Sequence, residues 1–94
     1  MKEEAGRFYL SKKEMPRLPE KSGVYFLYQK SGILVYIGKA LYLKKRIPNH
    51  DLDKEFICLG YELCHWSRAR AREKELLKLY KKEHSQLPYY NKVG

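Results

Sequence analysis

Two short runs rich in β-branched and aromatic residues, Val24 to Tyr28 and Ile33 to Ile37, are separated by Gln29-Lys30-Ser31-Gly32, and this arrangement restricts the fold more than any other in the chain. The Ser-Gly end of the separator is a turn signal, so the spacing predicts a β-hairpin. With Lys30 and Ser31 at the centre of the loop, cross-strand partners have position numbers of constant sum: Gln29 faces Gly32, Tyr28 faces Ile33 and Tyr25 faces Tyr36. Both tyrosines then share one face of the sheet. A slip of one residue would oppose Tyr25 to Val35 and send the two phenols to opposite sides.

The rest of the chain supplies layers for that hairpin. Residues 1–16 read as a polar, charged lead-in, in which Phe8, Tyr9 and Leu10 offer a short packing element, and residues 17–94 as a single domain entered along an extended segment fixed by Pro16 and Pro19. Ala40, Leu43 and Ile47 recur at helical spacing and predict a short helix from Lys39 to Ile47, stopped by Pro48, with a loop from Pro48 to Asp53. Phe56 to Trp66 alternates as a third strand, with Gly60 marking a bulge. Ser67 is placed to cap a long helix from about Arg68 to His84, whose inward face carries Ala69, Glu73, Leu76, Leu77 and Tyr80. Pro88 ends it, and Tyr89-Tyr90-Asn91-Lys92 follows as a tail. The order strand, strand, helix, strand, helix predicts an α+β fold with a small three-stranded, mainly antiparallel sheet flanked by helices.

The 94 residues allow one small core, so any function sits on that one fold. Twenty Lys and Arg against 11 Asp and Glu leave a net charge of +9, which favours a polyanionic partner such as nucleic acid over an acidic small molecule or a membrane surface. No apolar run approaches the roughly 18 residues of a membrane span, and the charged start Met1-Lys2-Glu3-Glu4 lacks the apolar centre of a secretory signal. The expected location is the cytoplasm, or the nucleus in a eukaryote. Cys58 and Cys64 form no C-x-x-C pair and are expected as buried free thiols.

Glu73 is the acid on an otherwise apolar helix face, with Leu76 and Leu77 one turn on. Such a carboxylate either reaches solvent from the helix edge or, if half-buried, calls for a partner: a salt bridge to Arg70 or Arg72, or a metal. Arg46 precedes the apolar Ile47 and can reach the sheet face, and a guanidinium suits two phosphate oxygens. Lys39 follows Tyr36-Ile37-Gly38, where the strand is expected to turn into the helix.

These residues resemble the GIY-YIG nucleases, a family found in the incision subunit of bacterial nucleotide excision repair, in intron homing endonucleases and in some restriction enzymes. The resemblance covers about residues 17 to 92. Leu18-Pro19-Glu20-Lys21-Ser22-Gly23-Val24-Tyr25 is similar to the repair-nuclease lead-in and Tyr36-Ile37-Gly38 to the second half of the signature. Lys39-Ala40, Leu43-Lys44-Lys45-Arg46-Ile47, the helix with an inward Glu, and Pro88-Tyr89-Tyr90-Asn91 continue in the family's order. The resemblance implies that Tyr25 and Tyr36 are the site tyrosines, and that one of them, or Lys39, helps deprotonate the attacking water. It further implies that Arg46 holds the scissile phosphate, that Glu73 holds a single Mg2+ or Mn2+ ion, with Glu75 the alternative ligand, and that Asn91 orders the site. His50, four residues after Arg46, is similar in spacing to a histidine of the homing enzymes, which implies a proton-transfer or phosphate-contact role; the alternative is a solvated loop histidine.

The expectation is a divalent-metal-dependent endonuclease that hydrolyses DNA phosphodiester bonds, leaving a 5′-phosphate and a 3′-hydroxyl, in repair or recombination. Lys44, Lys45, Arg68, Arg70, Lys78, Lys81 and Lys82 would supply salt-sensitive attraction to the nucleic-acid backbone. With no second domain to read base edges, specificity would come from DNA shape, a partner protein or a homodimer. The charge balance does not choose between DNA and RNA. The alternative is a non-catalytic nucleic-acid-binding or protein-docking module that retains the fold.

Overall fold

The structure is a computed structural model that describes residues 2–4 and 6–92. Five strands form one antiparallel sheet: β1 (Lys2–Glu4), β2 (Arg7–Ser11), β3 (Gly23–Tyr28), β4 (Leu34–Ala40) and β5 (Cys58–Leu63), in the order β1-β2-β5-β3-β4. The three expected strands are present as β3, β4 and β5, and the expected three-stranded sheet is too small. The segment expected only to lead into the fold supplies β2, which pairs with β5, and the three-residue edge strand β1. Phe8 and Leu10 of β2 point into the same apolar cluster, so the alternation that makes this segment a strand is present in its sequence, although it is short.

Among the described residues three α-helices complete the fold, α1 (Leu43–Asn49), α2 (Trp66–His84) and α3 (Tyr89–Lys92), with short 3-10 turns between elements. One face of the sheet, carrying Leu10, Tyr25, Leu27, Leu59 and Tyr61, packs against Leu43 and Ile47 of α1. The other face carries Val24, Phe26 and Ile37 and packs against Leu76, Leu77 and Tyr80 of α2. Leu43 and Ile47 are fully buried, each contributing roughly 1.5–3 kcal/mol of hydrophobic stabilisation. An ion-pair network also ties α2 to the sheet. Glu62 of β5 accepts from Arg72 of α2 at 2.9 Å and from Arg7 of β2 at 2.8 Å.

The hairpin has the expected strands and a different register. Tyr25 opposes Gly38, and Tyr36 opposes Leu27. Two one-residue steps produce the difference. The loop holds three residues, Lys30 to Gly32, with Ser31 at φ 74° and Gly32 at φ 77°, so that the Gln29 N–H donates to the Ile33 carbonyl at 2.9 Å. A bulge between the Leu27 and Tyr28 pairings then leaves Val35 without a partner. Two steps preserve side-chain parity, so Tyr25 and Tyr36 still share a face, with ring centroids 5.9 Å apart.

Other boundaries move for local reasons. The segment from Lys39 is strand as far as Ala40, with Lys39 paired to Val24, and α1 starts only at Leu43. Pro48 does not stop the helix. It lies inside the last turn, and a 3-10 turn from His50 to Leu52 follows where a loop is expected. Near a helix end, proline's missing N–H costs only one hydrogen bond. β5 is shorter than the expected strand, and Gly60 shows no register break in either pairing. Its missing side chain instead makes room for the Tyr9 ring, which a Cβ would approach to 3.1 Å. α2 begins two residues earlier than expected because His65, rather than Ser67, is its cap, with Nδ1 accepting from the Ser67 N–H at 3.2 Å. Residues 89–92 form a helix docked on β4 rather than a loose tail. Cys58 and Cys64 are free thiols, half-buried rather than buried.

Candidate active site

The two faces of the hairpin place different chemistry on either side of β4. Tyr25 is fully buried in the α1-side core, whereas Tyr36, nearer the edge, is half-buried. Gly38 lies where the two rings meet. A Cβ there would stand 2.6 Å from Tyr25 Cζ and 2.7 Å from both the Tyr25 hydroxyl and Tyr36 Cε2. The glycine of the Tyr36-Ile37-Gly38 segment is therefore a packing requirement of the tyrosine pair.

Continuity of α1 into the 3-10 turn sets Arg46 and His50 one turn apart on the side facing the tyrosines. The Tyr25 hydroxyl is 2.6 Å from His50 Nε2, and His50 Nδ1 is 3.3 Å from Asp53 Oδ1. The Asp53 carboxylate can only accept from neutral His50, which puts the imidazole proton on Nδ1 and makes Nε2 the acceptor of the Tyr25 O–H. Burial first, and then the cations of Lys54 and Arg46, push the His50 pKa down against the pull of Asp53, so the ring is neutral at pH 7. The Tyr25 phenol is pushed well above its ordinary value by burial and by Tyr36, with Arg46 pulling in the opposite direction. Hydrogen bonding to Tyr25, with Tyr36 adding to it, raises the already high Arg46 pKa further against the opposing effect of burial.

On the other face of the strand, Lys39 Nζ lies 3.6 Å from Glu73 Oε1. The Glu73 side chain is only 18% exposed, while that of Lys39 is 47% exposed. The expected partners Arg70 and Arg72 are not used. Arg72 is taken up by Glu62 and by Glu75, the latter at 2.5 Å, and Glu75 stands well out in solvent. Lys39, Arg46 and Ala69, the last one helical turn before Glu73, line a single open groove of about 380 Å³. Glu73 does not line the groove itself and meets it through Lys39; a single carboxylate so placed fits a hard divalent cation that keeps several waters and takes its remaining ligands from substrate. Among the described residues there is no cluster of three or more acidic, His or Cys side chains that would hold a metal fully.

Asn91 reaches β4 from α3. Its Nδ2 donates to the Ile37 carbonyl and its Oδ1 accepts from the Ile37 N–H, both at 2.9 Å. It thereby satisfies the outer edge of β4 between Tyr36 and Gly38. The basic residues divide. Lys44 and Lys45 are exposed on α1 and Arg68 and Arg70 near the start of α2, but Lys78, Lys81 and Lys82 line a separate groove with Leu77 and Leu87.

Two residues at the site went unnoticed in the sequence. Lys54, nearly buried, places Nζ 4.7 Å from the Tyr36 ring centroid and 3.1 Å from Asp53 Oδ2. No spacing rule marks a lysine in a loop for such a position. Asp53 does carry a signal, its i+3 spacing from His50.

No family model matches the chain. UvrABC system protein C of Thermoanaerobacter sp. (strain X514) is 50% identical over 38 residues, 40% of this chain and 6% of that protein. The corresponding protein of Finegoldia magna is 42% identical over 55 residues, 57% of this chain and 9% of its own length. The chain thus spans less than a tenth of these relatives. In structure, it is similar to the GIY-YIG N-terminal endonuclease domain of UvrC from Thermotoga maritima bound to its catalytic divalent cation, magnesium. That likeness has a TM-score of 0.63 and 24% identity, and covers 83% of this chain and 91% of that one. In fold, this chain is therefore similar to the GIY-YIG domain at the N-terminus of UvrC.

Proposed function

We propose that this domain is a divalent-metal-dependent endonuclease that hydrolyses DNA phosphodiester bonds. The observation that carries the reading is the groove at the edge of β4, into which Arg46 comes from α1 and Lys39 from the strand, with Glu73 behind Lys39. Arg46 is the phosphate-binding group, since its charge is fixed and its guanidinium can engage two phosphate oxygens. Glu73 is the metal ligand, preferred over Glu75, which is exposed and engaged by Arg72. When bound, the cation would polarise a phosphate oxygen and stabilise the leaving oxygen.

Lys39 lines the groove and is within reach of an attacking water there, while Tyr36, on the opposite face of β4, acts from beside Arg46, which reaches both. Tyr25, sealed from solvent, acts as a positioning residue that fixes Arg46 and His50. Asn91 holds the backbone between Tyr36 and Gly38. Among the described residues no helix is long and apolar enough to cross a membrane, and a DNA substrate goes with a cytoplasmic setting. Repair is the pathway favoured by the likeness to UvrC. A partner protein or a second copy would direct the cut.

The test is nicking of supercoiled plasmid with magnesium or manganese by the intact protein, Glu73→Gln and Arg46→Ala. Metal-dependent nicking lost in Glu73→Gln while DNA binding persists supports the reading. Binding without nicking on plasmid, branched duplex and RNA alike would sink it in favour of a non-catalytic binding module.

A further inference from the structure

A second groove, of about 470 Å³, runs beside the first and shares Leu41 and Trp66 with it. Its lining includes the exposed side chains of Leu41, Tyr42, Leu63 and Trp66, with Trp66 62% and Tyr42 54% exposed. Large aromatic rings left in solvent beside a charged groove lose hydrophobic burial, and they are the groups on which bases stack. The groove's walls are fixed by hydrogen bonds to main-chain carbonyls. The Leu43 N–H donates to the Lys21 carbonyl at 2.9 Å, and the Ser22 hydroxyl donates to the Cys64 carbonyl at 2.6 Å.

We propose that this groove receives an unpaired nucleobase, which stacks on Trp66 and Tyr42 while its flanking phosphates lie in the adjoining groove with Lys39 and Arg46. The inference deepens the nuclease reading by naming its substrate class, DNA with a single-stranded segment next to the cut. Charge is partitioned as such a ligand requires. The base slot carries Leu41, Tyr42, Leu63 and Trp66 together with one acid and one base, Glu20 and Lys21, so its formal charge is zero, and the phosphate slot next to it carries Lys39 and Arg46. Lys45 Nζ, 5.7 Å from the Tyr42 ring centroid, adds a cation at the rim. A base inside a duplex has both faces covered by its neighbours and cannot offer one to Trp66, whereas an unpaired base can. Stacking tolerates any sequence, because every base presents a π-face.

Trp66 is the one tryptophan in the chain, so its fluorescence reports the contact directly. The experiment titrates Glu73→Gln protein, with chelator present, against a short oligothymidylate and against a duplex of equal length. Trp66→Ala and Tyr42→Ala are measured in parallel by anisotropy of a labelled strand. The expected result is quenching of Trp66 by the oligothymidylate and roughly tenfold weaker single-strand binding in each variant, with duplex binding changed less than about twofold. Unchanged fluorescence at saturation, or variants that bind the single strand as the parent does, would overturn the proposal. So would equal loss on single strand and duplex, which would mark the patch as a general or protein-docking surface. Quenching by a protein that never nicks DNA would end the nuclease reading and leave the stacking site standing, and nicking without quenching would do the reverse.

Discussion

The Tyr25 hydroxyl and His50 Nε2 meet at 2.6 Å inside the core, with both side chains essentially sealed from solvent. The pair links β3 to the end of α1, and thereby fixes the backbone from which Arg46 projects. Tyr25→Phe keeps the ring and removes the donor, leaving a buried imidazole nitrogen without a partner. Stability should fall by about 1–3 kcal/mol in urea unfolding. Tyr36→Phe, at a half-buried position, should lower plasmid nicking more than it lowers stability. The reverse ranking would transfer the reacting role to Tyr25.

The same pair sets a pH dependence. Tyr25, Tyr36, Arg46, Asp53 and Lys54 surround His50, and its folded pKa lies below the ordinary 6.5. As pH falls, the unfolded chain takes up the proton first. The stability contributed by neutral His50 is therefore complete above about pH 6.5 and is lost as pH falls from there through the depressed folded value. Stability should rise with pH across that window, with a slope no steeper than the one-proton limit of about 1.4 kcal/mol per pH unit. His50→Gln should flatten it, as read from urea midpoints across the range.

Glu62 acts in a lower window. Burial pushes its pKa up, but hydrogen bonds from Arg72 and Arg7 outweigh that and hold it below its ordinary 4.5. Its contribution is present above about pH 4.5 and is lost as pH falls through the depressed value. Glu62→Gln should remove this acid-side loss and cost about 1–3 kcal/mol at neutral pH by weakening the four charged hydrogen bonds it accepts from Arg7 and Arg72. Thermal melts at acid and neutral pH separate this effect from that of His50.

Much of the site could be read from the chain, because side-chain parity survives errors of register. The loop and the bulge each add a residue, yet Tyr25 and Tyr36 stay on one face, as the alternating pattern requires. Glu73 was recognisable as an acid among apolar residues, and the structure supplies Lys39 as its partner. What the sequence hid depends on tertiary contact. Proline rules place a stop at Pro48, whereas packing of Ile47 carries the helix on and brings His50 under Tyr25. Strand β2 is short and lies among charged neighbours, and only its pairing with β5 reveals it. No local pattern announces that Asn91 will serve as a strut for Ile37.

That strut can be tested. Asn91 satisfies both the N–H and the carbonyl of Ile37 on the outer edge of β4. Asn91→Ala should cost about 1–3 kcal/mol and speed amide exchange at Ile37. If Asn91 orders the site rather than touching substrate, nicking should fall while affinity for DNA is retained. An unchanged exchange rate at Ile37 would remove the positioning role.

Gly38 joins the fold to the chemistry most closely. A methyl group there would meet Tyr25 and Tyr36 at distances under 3 Å, and both neighbours are aromatic rings held by other contacts, Tyr25 by His50 and Tyr36 beneath Lys54. The backbone of β4 cannot withdraw easily, because Asn91 fixes Ile37 next to it. Gly38→Ala should therefore cost about 1–3 kcal/mol through overpacking. The tyrosine nearer the edge has more freedom, so Tyr36 should give way first and carry its hydroxyl away from Arg46. Nicking should then fall by more than the stability loss accounts for at a temperature where the variant remains folded. Full activity in a folded Gly38→Ala protein would show that the close approach of the two phenols is not required for cleavage.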